Sequence, residues 1–175
     1  MKDLAFPWHG GRPSLNFTAT LAKRGGPAFD RLRTPADLAR WFHEAGLADH
    51  SLQASGKDLT DARALREALY AALTTPTADL TLLNHWTTRP TPGSTLERTP
   101  DGLKLRRPHL DTEALLTVVA QDAADLLTGP LAHRIRECAH PGCWLLFVDE
   151  SRANNRRWCS METCGARTKM SRYRT

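Results

Sequence analysis

Residues 138–164 read CAHPGCWLLFVDESRANNRRWCSMETC, and they hold all four cysteines of a 175-residue chain. The spacing is two Cys-x4-Cys pairs, Cys138 with Cys143 and Cys159 with Cys164, separated by fifteen residues. Each short pair can close a knuckle on one edge of a tetrahedral ion, and the loop between them carries the second pair to the opposite edge, as in structural zinc sites. Three other readings compete: a redox disulfide switch, a catalytic thiol, and free cysteines in a core. A reducing compartment disfavours stable bridges, and a nucleophile does not need three neighbours at paired spacing. Zinc is the reading preferred over these, with one ion per chain. His140, inside the first pair, is then a loop residue. A closed four-thiolate shell leaves no position for water, so the ion's expected work is to fold the segment. Structural zinc supplies on the order of 10–16 kcal/mol, which a unit of about 40 residues needs because its own core is small.

The residues between the pairs suggest a hairpin. CWLLFVDES is rich in large apolar residues and has strand character, RANN offers turn formers, and RRWCS leads back toward the second pair. Ser160 is placed to cap a helix that carries Cys164 in its first turn. Knuckle, hairpin and ligand-bearing helix form a treble-clef-like order. Asp149 is expected to orient an arginine or to cap the turn. Trp144, Phe147 and Trp158 are expected to pack against the zinc lobe, with base stacking as the alternative.

Charge is polarised toward the same end. The net charge of +5 arises after residue 130: residues 1–130 hold 15 Lys+Arg and 15 Asp+Glu, whereas 131–175 hold 9 and 4. A basic tail suits a polyanion, nucleic acid above all. The candidate contacts are Arg152, Asn155, Arg156 and Arg157 around the turn, and Arg167, Lys169, Arg172 and Arg174 on the last helix. Arginine's planar fork donates twice to one phosphate and can read guanine in a major groove.

The strings Cys143-Trp-Leu-Leu-Phe147-Val-Asp149, Ser151-Arg152, Arg156-Arg157-Trp158-Cys159-Ser160-Met161 and Cys164-Gly165-Ala166-Arg167-x-Lys169 closely resemble the CGNR zinc-finger family of bacterial proteins, over residues 133–174. The resemblance implies a DNA-binding module. One position departs from it, since the asparagine of the family's name is Ala166 here.

Upstream, the composition of 41% hydrophobic and 25% charged residues is that of a globular protein. TPADLARWFHEAGL starts with Thr34 as N-cap and Pro35 at the first helical position, and sets Leu38, Trp41, Phe42 and Leu47 on one stripe. TDARALREALYAAL, TPTADLTLLNHW with Leu80, Leu83 and Trp86 inward, and DTEALLTVVAQDAADLL from Asp111 continue the helical pattern. STLERTPDGLKLRR alternates about Pro-Asp-Gly as a hairpin does. The expected fold class is therefore α+β: a mostly helical domain over 1–130 with a small sheet, then a zinc finger over 131–175. A break at Thr128-Gly129-Pro130 precedes a helix LAHRIREC that feeds the first cysteine.

LNFTATLAKRG at Leu15–Gly25, followed by LRTPADLARWFHEAGL, resembles the ABATE domain that usually precedes a CGNR finger. That resemblance implies a stress-responsive transcription regulator over 1–130. Ala19 stands where the family usually has asparagine. In the same stretch Asn16, Thr18, Thr20 and Arg24 form a polar set beside Leu15 and Phe17. They are either a ligand-orienting patch or the solvent face of a strand.

No phosphate loop, nucleophile elbow or His-Glu-x-x-His motif occurs, so an enzyme is not expected. The N-terminus lacks the features of a secretion signal, and no run approaches the roughly 18 apolar residues of a membrane span. The expectation is a cytoplasmic bacterial transcription regulator with double-stranded DNA as partner, a possible small-molecule effector and a possible homodimer. The alternative is a protein- or RNA-interaction module in which zinc is a structural clip.

Overall fold

The computed structural model of the chain describes residues 4–48, 52–106 and 108–172. Five helices build its larger part: α1 (Pro13–Thr18), α2 (Pro35–Glu44), α3 (Gly56–Thr74), α4 (Thr81–Thr87) and α5 (Thr112–Thr128). Two hairpins interrupt them, β1 (Leu21–Ala22) with β2 (Phe29–Asp30) and β3 (Thr95–Thr99) with β4 (Gly102–Arg106). The C-terminal part contains β5 (Ile135–Glu137) antiparallel to β6 (Leu146–Val148), and α6 (Ala166–Arg172). The fold is α+β, as the sequence implies.

The helix starts are locally encoded. Thr34 and Ser55 each form a reciprocal capping box, with Asp37 and Asp58 respectively, and Asp111 accepts from the Ala114 amide. The Ser55 box moves the start of α3 upstream of the TDAR segment. Leu80 differs from its expected inward place: it is the residue before α4 and 45% exposed, while Leu83 and Trp86 are buried.

α5 is the central element, packing against α1, α3 and α4. Trp41, Phe17 and Phe42 meet edge-on in the core, with ring centroids 4.8 and 5.3 Å apart for Phe17–Trp41 and Trp41–Phe42. α1 corrects the strand alternative for residues 15–20. Pro13 presets its first turn, and Asp122 of α5 accepts from the Ser14 amide (2.9 Å) and hydroxyl (2.6 Å). A carboxylate from another helix thus supplies the N-terminal anchor that Arg12 does not.

The finger is fused to this body. Along the apolar run, Leu145 and Phe147 pack with the cysteines, whereas Leu146 and Val148 pack with Leu15 and Leu126. A strand buried on both faces has a continuous apolar sequence, which accounts for the uninterrupted WLLFV. The Val148 amide also donates to the Gly10 carbonyl at 3.0 Å. Zinc is therefore not the finger's sole support.

Two local expectations are corrected here. LAHRIREC is a 3-10 turn (Ala132–Arg134) followed by β5, because Ile135 continues the packing of Leu146 and Val148. The partner of β6 is β5 rather than the RRWCS segment, which instead gives a backbone bond from the Ala139 amide to the Arg157 carbonyl.

The β3–β4 hairpin stands apart. Its register pairs Leu96 with Leu105 and Arg98 with Leu103, placing three leucines on one face, and these are 70%, 48% and 65% exposed for Leu96, Leu105 and Leu103. No helix among the described residues is long and apolar enough to cross a membrane.

Candidate metal centre and cationic surface

The knuckles assemble as the spacing requires. The four Sγ atoms of Cys138, Cys143, Cys159 and Cys164 lie within 4.8 Å of one another. Cys143–Cys159 and Cys159–Cys164 are each 3.7 Å apart, and a tetrahedron with 2.3 Å Zn–S bonds has edges of about 3.8 Å. The Cys159 amide donates to the Cys138 Sγ at 3.4 Å. Ser160 accepts from the Thr163 amide at 3.3 Å and opens a wide turn, Met161–Gly165, that holds Cys164 and leads into α6.

The electrostatics of the thiols favour a cation. The hydrogen bond from Cys159, with a smaller contribution from the Leu145 amide, overcomes burial and lowers the Cys143 thiol to about 5. Cys159, which holds its proton toward Cys143, is pushed up, and burial with neighbouring charge pushes Cys164 up. One thiolate is tolerated by protein alone, and four are tolerated only around a divalent ion. The donor set fits a closed zinc site with no water position.

Asp149 organises the turn between the pairs. Its carboxylate accepts from the Ser151 amide at 2.9 Å and the Arg156 amide at 2.7 Å, while the Arg134 side chain donates to the Asp149 and Ser151 carbonyls. Asn154, at φ 45°, takes the left-handed tip, a conformation asparagine accepts readily.

The basic residues divide into two groups. Arg156 is turned inward: it stacks 4.8 Å from the Phe147 ring centroid, donates to the Trp158 carbonyl at 2.8 Å and also to the Cys159 carbonyl. Its side chain braces the second knuckle, which differs from the surface role expected of it. Arg152, Asn155, Arg157, Arg167 and Lys169 are exposed. Arg172 ends α6, and Arg174 lies outside the described residues. Of the aromatics, Phe147 is fully buried, Trp158 is half-buried beneath Arg157, and Trp144 lies against Gly25.

The polar set near the N-terminus is engaged inside the fold. Asn16 Oδ1 accepts from the Gly10 amide at 2.8 Å; the Thr18 and Thr20 hydroxyls donate to the Leu15 and Phe17 carbonyls at 2.8 and 2.7 Å. Arg24 pairs with Glu67 and lies 3.9 Å from the Tyr70 ring centroid. Both threonines are buried, and Asn16 is partly exposed with its Oδ1 engaged.

Sequence reading missed Arg66. It is 3% exposed and makes a bidentate pair with Asp30 at 2.7 and 2.9 Å, plus a bond to Glu67 at 2.8 Å, pinning the β1–β2 hairpin to α3. Its only sequence signal is a charge on an otherwise apolar helical face. A cavity of about 240 Å³ lies between that hairpin and the finger, takes in the metal site through Cys143, Cys159 and Cys164, and was equally hidden. Ala19, the position of the family asparagine, is one of its lining residues.

Two family models match the chain. The ABATE model, described as "Putative stress-induced transcription regulator", covers residues 11–130, and the CGNR zinc finger model covers residues 134–175. No curated protein matches it in sequence.

Proposed function

This chain belongs to the ABATE family and ends in a CGNR zinc finger holding one structural zinc ion, and from that premise we propose that it regulates transcription by binding double-stranded DNA through the finger. The carrying observation is a set of exposed basic and polar residues that flanks the second pair of metal-ligating cysteines in the chain. Arg152, Asn155 and Arg157 precede Cys159, and Arg167 and Lys169 follow Cys164, all exposed. Arg172 and Arg174 extend the same set along the chain.

Zinc, the Asp149 turn and the inward Arg156 fix the backbone from which these side chains project. Pre-set positions reduce the ordering cost of binding, and phosphate contacts supply affinity and register. Cys138, Cys143, Cys159 and Cys164 are the proposed zinc ligands, and no catalytic residue is proposed. The N-terminal body receives the signal in this reading, and a second copy of the chain enlarges the small footprint of one finger.

A mobility-shift titration tests it, with a mixed-sequence 30-base-pair duplex and single-stranded RNA of equal length. The triple variant Arg157→Gln, Arg167→Gln, Lys169→Gln should retain its zinc and bind duplex roughly tenfold more weakly or worse. Unchanged duplex affinity, or tighter binding to the RNA, would establish the interaction-module alternative instead.

A further inference from the structure

We propose that the exposed β3–β4 hairpin is a dimer interface, its leucine face closed by the same face of a second copy of this chain. This deepens the proposed function, which calls for a second copy, and its consequence for DNA rests on that function. The interface itself rests on the hairpin.

The hairpin differs on its two faces. Leu96, Leu103 and Leu105 share one face with Arg98, whereas the other carries Thr95, Glu97, Lys104 and Arg106. The polar face is satisfied within the chain: Glu97 stands opposite Lys104, and the Arg106 guanidinium lies 4.0 Å from the Glu97 carboxylate. The leucine face is not. No residue of either strand is buried, so among the described residues nothing covers the leucines. A two-stranded hairpin with both faces in water is marginally stable, and alternation of leucine with charge is the pattern of a sheet that packs on one side. The three leucines together expose on the order of 300 Å², the size at which a monomer's largest patch is often functional.

The position of Arg98 selects the occupant and its orientation. Arg98 pairs with Leu103 one step from the Thr99–Gly102 turn pair, and Leu96 pairs with Leu105 two residues further along. Stacked parallel, two copies would press Arg98 on Arg98 inside an apolar layer. Stacked antiparallel about a two-fold axis, each Arg98–Leu103 pair lies over the Leu96–Leu105 pair of the other copy. Leucine then meets leucine, and each Arg98 lays its aliphatic stem along one. The two guanidiniums are offset by roughly 7 Å along the strands, in addition to the sheet spacing of about 10 Å. The same arrangement brings the exposed acidic tip, Asp101, to the exposed basic end of the other hairpin at Arg106, twice over by symmetry. A surface complementary to itself in polarity and charge is what an isologous dimer requires.

Leucines from two copies supply about half of the roughly 1,200 Å² at which specific interfaces begin. Arg98 and the turn add to this, and the dissociation constant should be on the order of 10 µM. Each dimer carries two fingers, so duplex binding and self-association strengthen one another by the same factor.

Sedimentation velocity of the zinc-loaded full chain, from about 1 to about 200 µM, tests the interface. The wild type should pass from monomer to dimer over that range. The double variant Leu96→Thr, Leu103→Thr keeps residues suited to strands but removes the apolar contact. It should raise the dissociation constant at least tenfold, with zinc content and helical circular dichroism unchanged. Asp101→Arg and Arg106→Asp should each weaken the dimer about threefold, and the two combined should restore it, which a merely structural role of either residue would not do. A wild type that stays monomeric throughout, whether or not it floats with phosphatidylserine vesicles, would overturn the proposal, as would a dimer indifferent to the leucine variant. Failure of the charge exchange to restore association would overturn the antiparallel arrangement. A dimer with no duplex binding would leave the interface standing and refute the DNA reading alone, whereas a strictly monomeric chain that binds duplex would refute the interface alone.

Discussion

Replacing Gly25 with alanine probes the contact that joins the two halves. A Cβ built there falls 2.1 Å from Trp144 Cζ2, 2.6 Å from Cη2 and 2.7 Å from Cε2. Ordinary carbon contacts begin at about 3.5 Å, so the indole must retreat by more than 1 Å. Trp144 has little freedom to do so by backbone adjustment, because it already sits at φ 61°, a region costing about 1–2 kcal/mol for a residue with a side chain. The ring swings away instead and loses its packing on the hairpin loop. Half-burial of a tryptophan corresponds to roughly 100 Å², worth about 2.5 kcal/mol at most, and overpacking costs about 1–3 kcal/mol. Gly25→Ala should therefore destabilise the zinc-loaded chain by about 1–3 kcal/mol in urea unfolding, with an unchanged m-value. The control is the same substitution in a Trp144→Ala background. With the ring absent the three atoms nearest the added methyl are gone, and Gly25→Ala should be neutral or stabilising by about 0.4–1 kcal/mol through loss of unfolded-state freedom. A neutral effect in the wild-type background, or a cost that persists without the ring, would refute this reasoning.

Other outcomes follow from the same structure. Phe147→Ala removes a fully buried ring that contacts the zinc cluster and Arg156; it should cost about 3–5 kcal/mol in denaturant unfolding and speed zinc loss to a chromogenic chelator. Chelation of the wild-type chain should erase the NMR signals of residues 156–172 while those of α2 and α3 persist, because β6 is held by the shared core. Burial raises the Glu67 carboxyl, but hydrogen bonds from Arg24 and Arg66 outweigh it and leave the group below its ordinary value. Its stabilisation is therefore present above the unfolded value of about pH 4.3 and is lost as pH falls through the lowered folded value. Glu67→Gln should flatten that acid limb of Tm against pH, and an unchanged limb would assign the acid loss to other carboxylates.

Much of this molecule was legible because its signals are local. Thr34-Pro35 with Asp37 three residues on, Asp111 before an apolar run, and Pro-Asp-Gly between alternating segments each determine their element over fewer than ten residues. The metal centre was legible because zinc imposes a spacing on the chain. Contacts made across the fold left no such trace. Asp122 anchors α1 from more than 100 residues away, so the helix beginning at Pro13 looked like a strand. β5 exists because Ile135 pairs with Val148 and not because of its own propensity, which is helical. The run WLLFV reads as a strand, but that it is buried on both faces follows only from its packing against the cysteines on one side and Leu15 and Leu126 on the other. Arg156 could not be told from Arg157 by sequence, since only packing against Phe147 turns one inward. The cavity is likewise built across the fold, with Ala19 and Leu21 on one side and Trp144 and Leu145 on the other.

The most direct test of the central claim is the salt dependence of duplex affinity, measured by fluorescence anisotropy on the zinc-loaded chain and on the same chain after chelation. Arg152, Arg157, Arg167 and Lys169 are four exposed cations that flank the second cysteine pair in the chain. If each meets a phosphate, log Kobs should fall against log salt with a slope of about −3.6, steeper if Arg172 and Arg174 join. Chelation should abolish most of that affinity. A slope near zero, or equal binding with and without zinc, would contradict a metal-fixed cationic surface made for DNA.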